Sequence, residues 1–352
     1  MIENDEILPL GNMATLLEAL PTPALLVGPD RALLTTNRLA RDMVATVSHG
    51  DDLSRSLRNP ALLAAVDQVL ANGTAVTQEN RIGPPPALIY EVTISPVDIA
   101  ENDGDRYTRH ALMVFIDQTS ARQADSIRST FVANVSHELR SPLTTLMGAV
   151  EALAGPAADD PTGRARMLAL MGEETRRMKN LIDDLLSLSR AESQEFIPPG
   201  REVDLLQLLE SAKERLAERA AARDMTIVMN IVPNLPGIPG IDDELLQVFD
   251  NLISNAIKYG LPGKIVTVQV GLEEQGVRFS VHNEGTPIPA EHLPRLTERF
   301  YRVDKSRSRE QGGTGLGLAI VKHIVNRHRG ELSIESTEEA GTIFSVTLPL
   351  AV

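Results

Sequence analysis

Cysteine and tryptophan are absent from the chain, and only 3% of its residues are aromatic. Without cysteine there is no disulfide framework, no thiolate metal site and no cysteine nucleophile. Few aromatics alongside 42% hydrophobic residues imply aliphatic, helix-rich cores. No apolar run approaches the roughly 18 residues that a membrane-crossing helix needs. The opening MIENDEILPL has neither the cationic start nor the apolar stretch of a secretory leader. The chain as given is therefore expected to be soluble, with no membrane contact evident. Cations are scarce too: Lys+Arg 34 against Asp+Glu 48 leaves a net charge of −14. That balance argues against nucleic acid or an anionic membrane as a partner, since both demand clustered positive charge. The exception is a short basic cluster from Arg302 to Arg309. What remains is a chain of 352 residues, long enough for two or three domains with separate cores.

Beyond an N-terminal tail at 1–13, residues 14–119 read as one mixed α/β unit. Ala24 to Val27 and Ala111 to Ile116 are short apolar runs of strand type, and Leu88 to Ile94 alternates as a half-buried strand does. Asn59 to Leu70 reads as a helix, and Gly83-Pro84-Pro85-Pro86 as a loop. The last strand ends in Asp117-Gln118-Thr119 and leads straight into a helix. This layout resembles a PAS sensory domain, whose final strand commonly ends in Asp-x-Thr before a signalling helix.

Residues 120–194 read as two helices. Gly155 and Pro156 stop the first, and Asp159, Asp160 and Pro161 precede the second. Phe131, Val135, Leu139, Leu143, Leu146, Val150 and Leu153 form an apolar stripe on the first. Met167, Leu170, Met171, Met178, Leu181, Ile182, Leu185 and Leu188 recur near heptad spacing on the second. Two helices with one stripe each cannot close a core, but two copies can, so a homodimeric four-helix bundle is expected. Pro142 lacks the N–H that would reach the carbonyl of Glu138, and it should bend the axis, as a hinge or as a tolerated kink. His137 lies off the stripe, beside Glu138. A solvent-facing histidine next to a carboxylate can act as a neutral nucleophile that gives its proton to that neighbour; taken alone, such a histidine is more often an ordinary surface residue.

After the stiff stretch Ile197-Pro198-Pro199-Gly200, residues 200–352 read as an α/β sandwich. Helices are expected near 204–222, 242–259 and 316–328, with strands near 225–231, 265–271, 276–282, 331–335 and 342–348. In the middle helix Leu245, Val248, Phe249, Leu252 and Ala256 face one way, while Asn251, Asn255 and Lys258 share the other face at i, i+4 and i+7. That face is either a solvated surface or the wall of a nucleotide cleft. An amide oxygen suits Mg²⁺, which needs few protein ligands when phosphates supply the rest. Downstream, Gln311-Gly312-Gly313-Thr314-Gly315-Leu316-Gly317 opens a helix. Such glycines let backbone N–H groups approach a polyphosphate at a helix N-terminus. There is no Gly-Lys-Ser/Thr as in a Walker A loop, nor the strand-glycine-helix unit of a dinucleotide fold.

SHELRSPL, NLISNAIKYG, VHNEGTPIP, ERFYRVD and GGTGLGLAIV occur in the order of the H, N, G1, F and G2 boxes. Over residues 125–348 the chain thus resembles bacterial two-component sensor histidine kinases, and most of all the phosphate-regulon sensor kinases. The resemblance implies a multidomain α+β protein: a PAS-like sensor domain, a two-helix dimerisation and phosphoacceptor hairpin, and a GHKL-type ATP-binding domain. It implies a cytoplasmic kinase, or the cytoplasmic portion of an inner-membrane sensor. His137 would be phosphorylated from ATP, Glu138 would be the adjacent acid/base, and an aspartate on a response-regulator receiver domain would take the phosphoryl group. Asn255 would hold Mg²⁺. Asn251, Lys258, Tyr259, Asn283, Gly285, Arg302, Gly313, Thr314, Gly315, Leu316 and Gly317 would line the nucleotide. The segment 302–311, with Lys305, Arg307 and Arg309, would be a lid over ATP, and Gly341-Thr342 the last glycine turn.

The chain departs from the pattern at three places. Asn283 stands where an aspartate usually accepts from the adenine amino group; an amide still accepts, without charge assistance. Pro287 replaces a glycine in the same turn. Ser141 stands four residues after the histidine, where Thr or Asn often positions water for dephosphorylating the regulator; the retained hydroxyl implies phosphatase activity. A pseudokinase scaffold, or an ATPase that uses hydrolysis for conformational work, are the rival readings.

Overall fold

The computed structural model describes residues 10–43, 49–55, 57–83, 87–100, 107–155, 159–193, 197–304 and 313–350. They fall into two compact units, Met1–Thr130 and Phe131–Val352. Within the first, β1 (Ala24–Val27), β2 (Leu33–Thr36), β3 (Val76–Ile82), β4 (Leu88–Ala100) and β5 (Tyr107–Asp117) form an antiparallel sheet in the order β2-β1-β5-β4-β3. Helices α1 (Leu10–Glu18), α2 (Arg38–Arg41) and α3 (Pro60–Asn72) accompany it. Strand β1 is apolar throughout because both its faces are covered. Leu25 and Val27 join a core with Leu62, Val66 and Val69 of α3, while Ala24 and Leu26 join another with Leu17 of α1. Helix α3 starts where Asn59 accepts hydrogen bonds from the N–H groups of Ala61 (3.0 Å) and Leu62 (3.4 Å) with Pro60 behind it, and it ends at left-handed Gly73.

Strands β1, β4 and β5 and helix α3 lie where hydrophobic patterning puts them. Strand β3 escapes that patterning: Val76-Thr77-Gln78-Glu79-Asn80-Arg81-Ile82 is an edge strand with one buried residue, so it needs no apolar alternation. Asp117 and Thr119 join the last strand to the next helix. The Asp117 carboxylate accepts from Thr119 N–H at 2.8 Å, and the Thr119 hydroxyl together with that N–H holds its pKa below the usual range. Thr119 Oγ1 in turn accepts from Ile89 N–H of β4 at 2.9 Å.

Helix α4 (Thr119–Ala154) continues through Pro142, which is buried, and α5 (Pro161–Ser193) follows it. In the second unit, β7 (Thr226–Ile231), β9 (Ile265–Glu273), β10 (Gly276–Asn283), β11 (Glu331–Thr337) and β12 (Gly341–Leu348) form a sheet in the order β11-β12-β10-β9-β7. Its one parallel pair is β7 with β9. Helices α6 (Leu205–Ala221), α7 (Asp242–Tyr259) and α8 (Gly317–Arg327) supply the other half of its core. Asp204 caps α6 by accepting from Leu206 N–H at 2.9 Å. The short pair β6 (Arg201–Val203) and β8 (Ile238–Gly240) has no counterpart in the sequence reading, being too brief for any period.

All five apolar positions expected on α7 are buried, and Phe249 stacks on Phe279 of β10 with ring centroids 4.7 Å apart. Each such side chain withdraws about 1.5–3 kcal/mol of apolar surface from water. Along β10, period two turns Val277, Phe279, Val281 and then Asn283 to the helices, so the inner row ends on a buried amide. Among the described residues no helix is long and apolar enough to cross a membrane.

Candidate active site

The polar face of α7 is anchored from behind. The Arg223 guanidinium donates to the carbonyls of Ile257, Lys258 and Gly260, satisfying the groups that a helix C-terminus leaves open. This fixes the last turn, from which Lys258 projects across the ring of Tyr259 with Nζ 4.9 Å from its centroid. Burial pushes the Lys258 ammonium down from 10.5 to about 8, and the neighbouring Arg302, Arg219 and Arg177 push the same way. Four cations thus converge in a chain with a net charge of −14. Such a cluster favours an anion, and the Glu138 carboxylate already reaches Arg177.

The glycine loop closes on this cluster. A Cβ at Gly313 would overlap Lys258 Nζ, so the ammonium lies close against the loop and a side chain there would push it aside. Gly315 sits at φ +73, where a side chain would also strike the Phe300 backbone at 2.9 Å, and its carbonyl accepts from Phe300 N–H. Leu316 is buried and caps α8, and Asn251 Oδ1 lies 2.8 Å from where a Cβ on Gly317 would stand. The opening turn of α8, with its unpaired N–H groups, therefore faces the amide side of α7.

Asn283 stands at the far end, 2% exposed, where Gly260 and Gly285 pair across an isolated bridge. Thr342, its register partner on β12, is also buried, and its hydroxyl is 2.8 Å from Ser336 Oγ. A neutral buried amide therefore lies beside Gly260, just past the end of α7, and the cations lie around Lys258 in its last turn.

The structure brings together Asn251, Lys258, Arg302, Gly313, Thr314, Gly315, Leu316 and Gly317 on one side, with Asn283 and Gly285 beyond the end of α7. Tyr259 is half exposed beside Lys258, and Asn255 is half-buried on the same α7 face. Among the described residues no group of three His, Asp or Glu could hold a metal ion. The amides at 251 and 255 therefore fit only a cation ligated chiefly by a bound phosphate chain. Lys305, Arg307, Arg309, Gln311 and Gly312 lie outside the described residues.

His137 is exposed on α4, with exposed Ser141 one turn on. Glu138 Oε2 accepts from Arg177 Nη2 of α5 at 3.5 Å. Helix α5 docks the α/β domain along the face Arg177, Leu181, Asp184, Leu188, Ala191. Leu181, Leu188 and Ala191 enter the α/β core. Thr314 Oγ1 donates to Asp184 Oδ2 at 2.7 Å, and burial raises the Asp184 pKa against the lowering effect of that bond. Farther along, Glu192 pairs with Arg299 at 2.8 Å. Phe131 of α4 meets Phe300 with centroids 5.8 Å apart.

Sequence reasoning passed over Arg177, Asp184, Arg219 and Arg223. Each acts on a group far away along the chain, and none belongs to a local motif. The heptad spacing of α5 is visible in its apolar members, but nothing in that spacing marks Arg177 or Asp184.

Residues 127–194 match the His Kinase A (phospho-acceptor) domain family, and residues 240–352 match the histidine kinase-, DNA gyrase B-, and HSP90-like ATPase family. The phosphate regulon sensor protein PhoR of Pseudomonas aeruginosa is 40% identical over 237 residues, covering 67% of this chain and 53% of that protein. The sensor histidine kinase WalK of Bacillus subtilis is 39% identical over 241 residues, covering 68% of this chain and 39% of that protein. The chain thus spans about half or less of the length of these relatives. The crystal structure of histidine kinase ThkA in complex with response regulator protein TrrA aligns over 96% of this chain and 98% of that one, with a TM-score of 0.53 at 19% identity. The helical phosphoacceptor domain and the α/β ATPase domain follow one another here as they do in those relatives, and the chain belongs to the bacterial two-component sensor histidine kinases.

Proposed function

We propose that this chain is an ATP-dependent protein-histidine kinase that phosphorylates His137 and passes the phosphoryl group to an aspartate on a response-regulator receiver domain. One observation carries the reading. The cations around Lys258 and the glycine loop form a polyphosphate cradle on the side of the α/β domain that docks α5, next to Glu138 and hence to the His137 turn. Asn251, Lys258, Arg302 and residues 313–317 hold the phosphates; Asn283 accepts from the adenine amino group, with Gly285 shaping that end. Asn255 would hold Mg²⁺, which would supply charge neutralisation on the phosphates when bound. Glu138 receives the proton that the His137 ring gives up, and Ser141 positions water for dephosphorylating the regulator.

The kinase works as a homodimer. Leu143, Met147, Val150, Leu168, Ile182 and Leu186 are all about half exposed in one chain, as a bundle completed by a second copy requires. The sheet order β2-β1-β5-β4-β3 with Asp117-x-Thr119 at its exit supports a PAS-like sensor in the first unit. Cytoplasmic placement follows from the chemistry, which draws on ATP. The similarity to PhoR supports a place in phosphate-regulon signalling, although WalK relatives match almost as well.

Incubation with γ-labelled ATP and Mg²⁺ tests the reading. Acid-labile label is expected on the wild type and not on His137→Gln, and it should move on to a receiver domain. A protein that binds ATP but never acquires label is a pseudokinase scaffold.

A further inference from the structure

Arg177 enters the roles given so far only as one of the cations near Lys258. Its guanidinium heads the docking face of α5, one turn before Leu181 and two before Asp184, which anchors the glycine loop through Thr314. Leu181 and the Thr314–Asp184 bond fix that face against the α/β domain, so the helix that carries Arg177 is held in place one and two turns further on. Lys258 Nζ reaches the loop at Gly313, and Arg177 is close enough to depress its protonation together with Arg219 and Arg302. On its other side Arg177 Nη2 reaches Glu138 Oε2 at 3.5 Å, the edge of hydrogen-bonding distance. Both side chains are about three-quarters buried, at 23% and 25% exposure. A guanidinium placed between a cationic cradle and a loosely held carboxylate has a stronger partner to gain when a phosphate enters.

We propose that Arg177 is the cation by which the phosphoacceptor hairpin engages the γ-phosphate of the nucleotide bound to the same chain, and that in doing so it releases Glu138 to act as the base. The proposal rests on the kinase reading. In the transfer step a lone pair of the His137 ring forms the N–P bond. The bond from phosphorus to the β–γ bridging oxygen breaks, and its electron pair leaves on ADP. The proton on the other ring nitrogen passes to the Glu138 carboxylate, which Arg177 no longer occupies. Arg177 meanwhile offsets charge on the γ-phosphoryl oxygens. Without the γ-phosphate it returns to Glu138 and withholds the base. Arg177 is then a catalytic residue that touches substrate.

The test compares wild type, Arg177→Ala and Arg177→Lys in the full chain, using ATP and ADP affinities by calorimetry and single-turnover label transfer to His137. For Arg177→Ala, ADP affinity should hold, ATP affinity should fall about 10-fold, and transfer should slow by about 100-fold, as when one preorganised donor to transition-state charge is removed. Arg177→Lys should recover part of both losses while melting like the wild type. Equal loss of ATP and ADP affinity would assign Arg177 to domain docking alone and overturn the proposal, as would wild-type transfer by Arg177→Ala. If the wild type transfers no label yet prefers ATP over ADP in an Arg177-dependent way, the γ-phosphate contact stands and the kinase reading falls.

Discussion

The α4–α5 hairpin and the α/β domain behind it contain similar aliphatic residues and treat them differently. Leu143, Met147 and Val150 are each about half open to solvent, whereas Leu245, Val248 and Phe249 are sealed. Leu181, Leu188 and Ala191 of α5 are buried in a core that belongs to the α/β domain, with Phe131, Leu139 and Leu185 packed against it. The α/β layer is thus complete in itself, while the hairpin borrows one wall from its own chain and leaves another open, as the proposed dimer would require.

Breaking the open wall should have the largest effect. Leu143→Asp with Met147→Asp should convert the dimer to monomer and cost the hairpin about 3–6 kcal/mol, read by light scattering and far-ultraviolet melting. A dimer that survives both changes would erase the contrast. The seam between the regions comes next. Arg327 on α8 pairs with Glu244 of α7 and donates to the carbonyl of Ile197 at 3.0 Å. Arg327→Met should destabilise by about 3 kcal/mol because it strands a half-buried carboxylate, and adding Glu244→Gln should restore much of the loss. Additive losses in the double variant would show that the two do not act as a pair.

A titration sharpens the electrostatic side. Lys258 has a folded pKa of about 8 against its ordinary 10.5. Between those values the unfolded chain holds more protons, so the nucleotide-free protein should gain stability as pH rises through that window. Bound polyphosphate favours the ammonium, so ATP affinity should fall as pH rises through 8, with proton uptake on binding near 8. Calorimetry in buffers of different ionisation heat measures this, and binding without uptake would remove Lys258 from the phosphate site. The smallest effect is expected at Asn283→Asp, which should tighten ATP about 2- to 5-fold by adding charge to the adenine contact; weaker binding would mean that desolvating the new carboxylate outweighs the contact.

Much of this was legible in the sequence where period and chemistry coincide. Helix α7 announces both its buried stripe and its polar face, and the glycines before α8 announce close backbone approach. Strand β3 was not legible because an edge strand needs no apolar face, nor were β6 and β8, which are too short to show a period. Arg223 was equally silent, since a side chain that caps a helix more than thirty residues away leaves no local mark. Arg177 and Asp184 are the sharper lesson: a polar residue in a heptad looks solvated until the partner that covers it is known.

Helix α8 has the glycine loop at its first turn and, at its last, the guanidinium that grips the Ile197 peptide leading out of α5. One helix thus ties the glycine loop to the tether that follows α5, so a shift of the loop would be felt at that tether through the bond from Arg327 to Ile197.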